Sequence, residues 1–111
     1  MIEDYSFGQI KIDGKKYQHD IIIHKKVVKS WWRVSGHEVI LRDIEEIIEE
    51  KPQVVIFGKG ASELMRVTKE VEDFLKASKI QTIELNTEEA IHKFNELSQT
   101  KNVVGAFHLT C

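Results

Sequence analysis

The 111-residue sequence has one cysteine, one proline and no long apolar run. A single cysteine cannot form an internal disulfide, so the fold does not require an oxidising compartment. No apolar stretch approaches the roughly 20 residues of a membrane-spanning helix. The acidic start MIEDYSFGQIKIDG also lacks the basic and apolar segments of a signal peptide. We therefore expect a cytoplasmic protein without a membrane partner.

The sequence also lacks a strong excess of either charge, since 16 Lys and Arg residues oppose 18 Asp and Glu residues. Nucleic-acid binding depends on clustered cations that neutralise phosphates, so we expect no nucleic-acid partner. The acids are unevenly distributed, with six of them and one arginine between residues 38 and 50. The length and the 41% hydrophobic content predict one domain over residues 1–111.

Hydrophobic periodicity predicts the element order β-β-β-α-β-α-β-α-β. The predicted strands cover residues 5–12, 17–24, 27–34, 54–60, 80–85 and 103–109, with a hairpin turn at Asp13-Gly14. The predicted helices are one that ends before Pro52, one over 68–78, and one capped by Asn86. Alternating helices and strands in the second half indicate an α/β fold, with a mainly parallel sheet and an antiparallel N-terminal addition.

The run VVKSWWRV contains two adjacent tryptophans for which strand alternation predicts different environments. Trp32 is expected in the core, while Trp31 shares the wetter face with Lys29 and Arg33. Tryptophan and arginine are enriched at binding hot spots, so Lys29, Trp31 and Arg33 form a candidate interaction surface. The alternative is cross-strand packing with cation–π contacts between Trp31 and its neighbouring cations.

The sequence FGKG lies where a strand should pass into the next segment, the place where open α/β sheets bind ligands. Main-chain N–H groups of Gly58, Lys59, Gly60 and Ser62 form a candidate site for a small anion. The sequence contains neither a dinucleotide fingerprint nor a Walker loop at this position. The alternative is a tight structural turn.

His108 and Cys111 near the end of GAFHLTC form a third candidate site. A neighbouring imidazolium would lower the pKa of the thiol and make it a nucleophile or a metal ligand. The alternative is a partly buried strand histidine followed by a small apolar cysteine. A metal site needs three or four ligands, and the sequence has no second cysteine and no HxxxH or HExxH spacing. No metal, cofactor or catalytic set is therefore predicted.

Several short motifs, taken in order, resemble those of a known family. They are Tyr17 with His19-Asp20, Trp31-Trp32-Arg33, Gly36-His37, Gly58-Lys59-Gly60, Asn86-Thr87-Glu88-Glu89-Ala90, Phe94-Asn95-Glu96-Leu97 and the ending GAFHLTC. Through these motifs the chain resembles the Mth-domain family, which includes an adipogenesis-associated protein of animals and is similar to a mitochondrial assembly factor of respiratory complex I. The family's glycine turn often reads Gly-Thr-Gly, so this chain differs there by a lysine.

The resemblance implies a three-layer α/β fold. Its central mixed, mainly parallel five-stranded sheet carries helices on one side and an antiparallel β layer on the other. It implies no known reaction and no catalytic residues to transfer. Our leading hypothesis is a non-enzymatic protein-interaction or assembly-type module with an unidentified protein partner. The alternative is a small anionic ligand, bound by a sensor or enzyme at residues 58–62. The sequence predicts no oligomeric state.

Overall fold

The computed structural model describes residues 1–111. Its strands are β1 Ile2–Ser6, β2 Gln9–Ile12, β3 Lys15–Tyr17, β4 Ile21–His24, β5 Val27–Ser30, β6 Glu38–Val39, β7 Val54–Lys59, β8 Arg66–Val67, β9 Gln81–Leu85 and β10 Val103–His108. Its helices are α1 Glu45–Glu49, which follows a 3-10 helix at Leu41–Ile44, then α2 Lys69–Ala77 and α3 Thr87–Leu97. None of these helices combines the length and the apolar content needed to cross a bilayer.

The central sheet is mixed and has five strands in the order β5-β4-β10-β7-β9. β7 runs parallel to both β10 and β9, whereas β4 runs antiparallel to β10 and to β5. All residues of β10, and all but the last of β7, are buried. This burial explains their continuous apolar sequences, because a strand covered on both faces has no solvent side.

Two apolar cores lie on opposite faces of this sheet, which confirms the three-layer α/β architecture. One core joins the sheet to α3 and to the antiparallel sheet β1-β2-β3, so α3 shares the side of the β layer, whereas the resemblance implied helices on the other side only. The other joins it to α1, α2 and the two-stranded ribbon β6-β8. α2 connects β7 to β9, while α3 returns past β7 to β10, so the two crossovers run in opposite directions. Right-handed crossovers of opposite direction place their helices on opposite faces.

The first two predicted strands differ from the structure, because each of them is divided into two separate strands. A turn at Phe7-Gly8, with Gly8 at φ +80, divides residues 5–12 into β1 and β2. Residues 17–24 divide into β3 and β4, which belong to different sheets. The Asp13-Gly14 turn is confirmed, since both residues have positive φ and join β2 to β3.

The helix starts follow local capping chemistry. Thr68 and Asn86 accept hydrogen bonds from the N–H groups of Val71 and Glu89, which confirms the predicted beginnings of α2 and α3. Helical periodicity predicts that Phe74 faces inward with Val71 and Leu75, and this prediction is wrong because Phe74 is 42% exposed. Only Val71 and Leu75 of this helix are buried.

Candidate functional site

The two tryptophans have the reverse of their predicted environments: Trp31 is 4% exposed and Trp32 is 81% exposed. The two side chains do point to opposite sides, but the covered side is that of Trp31, which joins the core containing Ile22, the residue paired with Lys29. The Trp31 indole packs beside Phe57, with 6.3 Å between ring centroids. Its Nε1–H donates to the main-chain oxygen of Asp43 at 3.0 Å. Trp31 therefore belongs to the core between the sheet and α1.

Arg33 is also buried, with 4% of its side chain exposed. Its guanidinium carbon lies 4.6 Å from the centroid of the Trp31 ring, so the predicted cation–π contact is present in the interior. Nη1 donates to Asp20 Oδ2 at 2.8 Å, and Nη2 donates to the Gly36 main-chain oxygen at 2.7 Å. Nε is buried without an acceptor. Lys29 remains exposed, so Lys29, Trp31 and Arg33 do not share a surface.

Asp20 joins this arginine to the end of β10. Its Oδ2 accepts from His108 Nδ1 at 2.7 Å, and its Oδ1 accepts from the Leu109 main-chain N–H at 2.8 Å. Burial opposes ionisation of Asp20, but the hydrogen bonds from His108, Leu109 and Arg33 together hold its pKa below the ordinary value. Asp20 is therefore a carboxylate at neutral pH. Sequence reasoning did not link these residues because they are separated by up to 89 positions along the chain.

The contacts of His108 resemble part of a catalytic relay. Thr110 Oγ1 lies 3.3 Å from His108 Nε2, so a carboxylate, an imidazole and a hydroxyl stand in sequence. The His108 side chain is only 7% exposed, however, and none of the main surface cavities is lined by Asp20, Arg33 or His108. In this structure the hydrogen-bonded network of Asp20, Arg33 and His108, which we call the buried clasp, holds the segment after β5 against the end of β10.

The glycine turn lies beside the same residues. The N–H of Gly60 donates to Thr87 Oγ1 at 2.8 Å. The N–H of Ala61 donates to the Thr110 main-chain oxygen at 2.7 Å, and that of Leu64 to the Cys111 main-chain oxygen at 2.9 Å. One predicted donor, Gly60, and two neighbouring N–H groups, those of Ala61 and Leu64, thus already have partners within the chain.

The two glycines permit close contact between β7 and the segment after β10. A Cβ on Gly58 would lie 2.7 Å from the Phe107 ring. A Cβ on Gly60, which has φ +98, would lie 2.2 Å from the Cys111 carbonyl carbon. The turn, His108 and Cys111 therefore converge at the carboxyl ends of β7 and β10, but they fill the space between them. Lys59 Nζ lies 3.5 Å from Glu63 Oε1, and Ser62 is exposed.

The exposed tryptophan marks a second region, which we call the Trp32 surface. Its apolar part consists of Trp32 and Val34, and Val34 is 67% exposed. The Trp32 ring stacks on His19, with 6.5 Å between centroids and 20° between planes. Beside it lies a cavity of about 190 Å³. The exposed residues around this cavity are Ser30, Trp32, Val34, Arg42, Glu45 and Glu46, and the buried residues at its base are Ile22, Trp31 and Asp43.

Asp43 holds the segment that carries this surface. Its Oδ1 accepts from the Val34 N–H at 3.1 Å, and its Oδ2 accepts from the Ile40 N–H at 2.8 Å. Helical periodicity predicts Asp43 on the solvated face of the first helix, and this prediction is wrong because the residue is 6% exposed. Helical periodicity cannot reveal that a carboxylate accepts hydrogen bonds from a segment nine residues away.

A family model matches nearly the whole chain. Residues 2–108 match the model of a family described as "Protein of unknown function (DUF498/DUF598)". The chain belongs to this family. Membership confirms the family predicted from the motifs, and the family description assigns no reaction. The family therefore assigns no role to the buried clasp or to the exposed Trp32.

Several solved structures share this fold over nearly the whole chain. A conserved hypothetical protein, PH1505, from Pyrococcus horikoshii OT3 is 26% identical with a TM-score of 0.92, over 100% of this chain and 99% of that one. A protein named MT938 is 27% identical with a TM-score of 0.83, over 100% and 98%. A Bartonella henselae protein described as an outer membrane protein is 21% identical with a TM-score of 0.84, over 99% and 94%. This last likeness shows the fold alone.

No group of three or more His, Cys, Asp or Glu residues in the chain is arranged to hold a metal ion. His19, Asp20 and His24, which the sequence places close together, have separate partners. His19 Nδ1 lies 3.1 Å from the Asp20 main-chain oxygen, and His24 Nε2 lies 2.6 Å from Asn102 Oδ1. The Asp20 carboxylate instead binds His108 and Arg33.

Proposed function

We propose that this protein is a non-enzymatic interaction or assembly-type module that binds a partner protein through the Trp32 surface. One observation carries the proposal: Trp32, at 81% exposure, stands beside Val34, at 67%, next to a cavity. Tryptophan is among the residues most enriched at binding hot spots. Leaving a large aromatic side chain in water forgoes the free energy of its burial, which a partner would recover.

The rigidity of the underlying residues supports the same proposal. The preceding residue, Trp31, is anchored by Asp43, and the following residue, Arg33, is anchored by Asp20 and Gly36. The main chain at Trp32 is therefore constrained on both sides before a partner arrives. A contact surface that is already ordered loses less conformational entropy on binding.

The small-anion alternative at residues 58–62 has less support, because Gly60, Ala61 and Leu64 already donate their N–H groups within the chain. A cytoplasmic location is part of our proposal. It rests on the single cysteine, since a chain with one cysteine contains no internal disulfide that an oxidising compartment would form.

The test compares Trp32→Ala with Phe7→Ala in partner capture from a cell extract of the source organism. Phe7 is a matched control because it is a large aromatic residue, 65% exposed, on the β1-β2 turn. We expect Trp32→Ala to lose specific proteins that the wild type and Phe7→Ala retain, as measured by quantitative mass spectrometry. Identical protein recovery by all three folded chains would contradict the proposal.

A further inference from the structure

We propose that the partner presents an extended, basic segment that pairs with the open edge of β5 and continues the central sheet by one strand. This inference rests on the proposed function of the Trp32 surface and names the chemistry of its partner. β5 lies at one end of the strand order and is hydrogen-bonded only to β4. Its other edge is therefore available for strand addition.

The register identifies which main-chain groups are open. Ile22 is opposite Lys29, and Ile21 is opposite Ser30. The Trp31 N–H donates to the Asp20 main-chain oxygen at 2.9 Å, so Asp20 and Trp31 form a hydrogen-bonded pair. Hydrogen-bonded pairs alternate along an antiparallel ladder, so Lys29 bonds toward β4 while Ser30 does not. By the same alternation, the N–H and C=O groups of Val28 and Ser30 point outward.

This open edge leads directly into the Trp32 surface. Ser30 is the last residue of β5 and also lines the cavity beside Trp32 and Val34. A strand paired with Val28 and Ser30 would extend past this cavity. Because successive side chains of a strand point to opposite faces, every second residue of the added strand could contact the cavity side. An apolar residue there would cover Trp32 and Val34.

The charge around the cavity favours a basic segment. Glu45 and Glu46 are exposed at its rim, where Arg42 is the opposing cation. These residues belong to the stretch 38–50, which has six acids and one arginine. A lysine or arginine in the part of the incoming segment that passes Ser30, beside Glu45 and Glu46 and away from Lys29, would complement this acidic wall.

The same edge disfavours a second copy of this chain as the occupant. β5 has four residues, and its centre carries the exposed Lys29. Antiparallel pairing of two β5 edges would bring the two Lys29 side chains close together, and like charges across strands are destabilising. Short edge strands with lysine are also a common protection against self-association.

The experiment selects peptides from a random dodecapeptide display library against the full chain and then measures binding of one synthesised peptide to variants. Proline is tolerated where an edge N–H faces solvent, so Ser30→Pro removes an outward donor while leaving the β4 pairing intact. Ser30→Ala is the matched control because it also loses the hydroxyl but keeps the N–H. We expect the peptide to bind Ser30→Pro about tenfold or more weakly than the wild type, and Ser30→Ala with unchanged affinity.

Three further results are expected. The peptides should carry β-branched or aromatic residues where they pair with β5, and lysine or arginine toward the end that passes the cavity. Glu45→Gln combined with Glu46→Gln should weaken binding and reduce its dependence on salt. In the wild type, the amide protons of Val28 and Ser30 should exchange more slowly when peptide is bound. This last measurement needs no variant, so it decides the inference even if Ser30→Pro does not fold.

The outcomes separate this inference from the proposed function. Peptides that require Trp32 but bind Ser30→Pro normally, without amide protection at Val28 and Ser30, would overturn strand addition while leaving the Trp32 surface intact. Peptides that ignore Trp32→Ala would contradict the proposed function itself. Concentration-dependent dimerisation of the wild type that Ser30→Pro abolishes would assign the edge to a second copy and would overturn the peptide partner.

Discussion

Two regions of the molecule can be compared: the crevice at the carboxyl ends of β7 and β10, and the Trp32 surface. They differ in how many of their hydrogen-bonding and apolar groups already have partners within the chain. In the crevice, the donors of the glycine turn are paired with Thr87, Thr110 and Cys111. At the Trp32 surface, a tryptophan is 81% exposed and the neighbouring β5 has an open edge. The crevice is the expected ligand position of an α/β sheet, yet here the chain's own residues occupy it. This difference is the reason for proposing that a partner binds at the Trp32 surface and not in the crevice.

The largest expected difference in stability is between substitutions of the two adjacent tryptophans. We expect Trp31→Ala to lower the free energy of unfolding by about 3–5 kcal/mol, because it removes a buried aromatic side chain and leaves a cavity. Trp32→Ala should change it by about 0.5 kcal/mol or less, because an exposed side chain contributes little to folding. Urea denaturation of both variants measures the difference. Equal destabilisation would show that Trp32 is packed in solution.

The buried clasp gives the next largest effect. Asp20→Asn should cost about 3 kcal/mol, because it leaves the Arg33 guanidinium buried without its counter-charge. The wild type should also lose stability as pH falls from about 4, because the pKa of Asp20 is lower in the folded chain than in the unfolded chain. Stability measured against pH should therefore fall more steeply below pH 4 in the wild type than in Asp20→Asn. Parallel curves for the two proteins would contradict the role assigned to Asp20.

The packing of the filled crevice is tested at Gly60. Gly60→Ala should cost about 2–3 kcal/mol, because a Cβ there is both strained and overpacked. Gly14→Ala is the control, since Gly14 has φ +83 but no atom within 4 Å of the added Cβ, and should cost about 1 kcal/mol. Thermal or chemical denaturation gives both values. If the Gly60 cost does not exceed the Gly14 cost, residues 108–111 do not fill this crevice in solution.

The smallest effect concerns Glu84 on β9, the opposite edge of the central sheet. Burial and the neighbouring Glu72 raise the pKa of Glu84 to about 7. The folded chain then holds this proton more tightly than the unfolded chain, so stability should fall as pH rises from about 4.5 through 7. Allowing for solvent screening, the loss is about 1 kcal/mol.

Glu84→Gln should remove this loss and be more stable than the wild type at pH 8. Glu72→Gln should remove part of it, because burial of Glu84 remains. Denaturation at pH 5 and pH 8 measures these differences. The raised pKa would be contradicted if the wild type lost no more stability than Glu84→Gln between pH 5 and pH 8.

Much of the fold was predictable because its signals are local. The Asp13-Gly14 turn and the caps at Thr68 and Asn86 depend on residues within a few positions of one another. The buried strands β7 and β10 were visible as continuous apolar runs. The candidate site was less predictable. Alternation predicts that the two tryptophans point to opposite sides but not which side other elements cover, so the environments of Trp31 and Trp32 were exchanged.

The amino-acid sequence by itself determined the family, the α/β class and most of the elements, because periodicity, turns and caps act over short distances. Only the tertiary structure decided which tryptophan is buried and whether the glycine turn is free. Trp31 is held by Asp43, and Arg33 by Asp20, whose carboxylate also binds His108. Such contacts join residues far apart in the chain, and they decide which of the two alternating sides is covered.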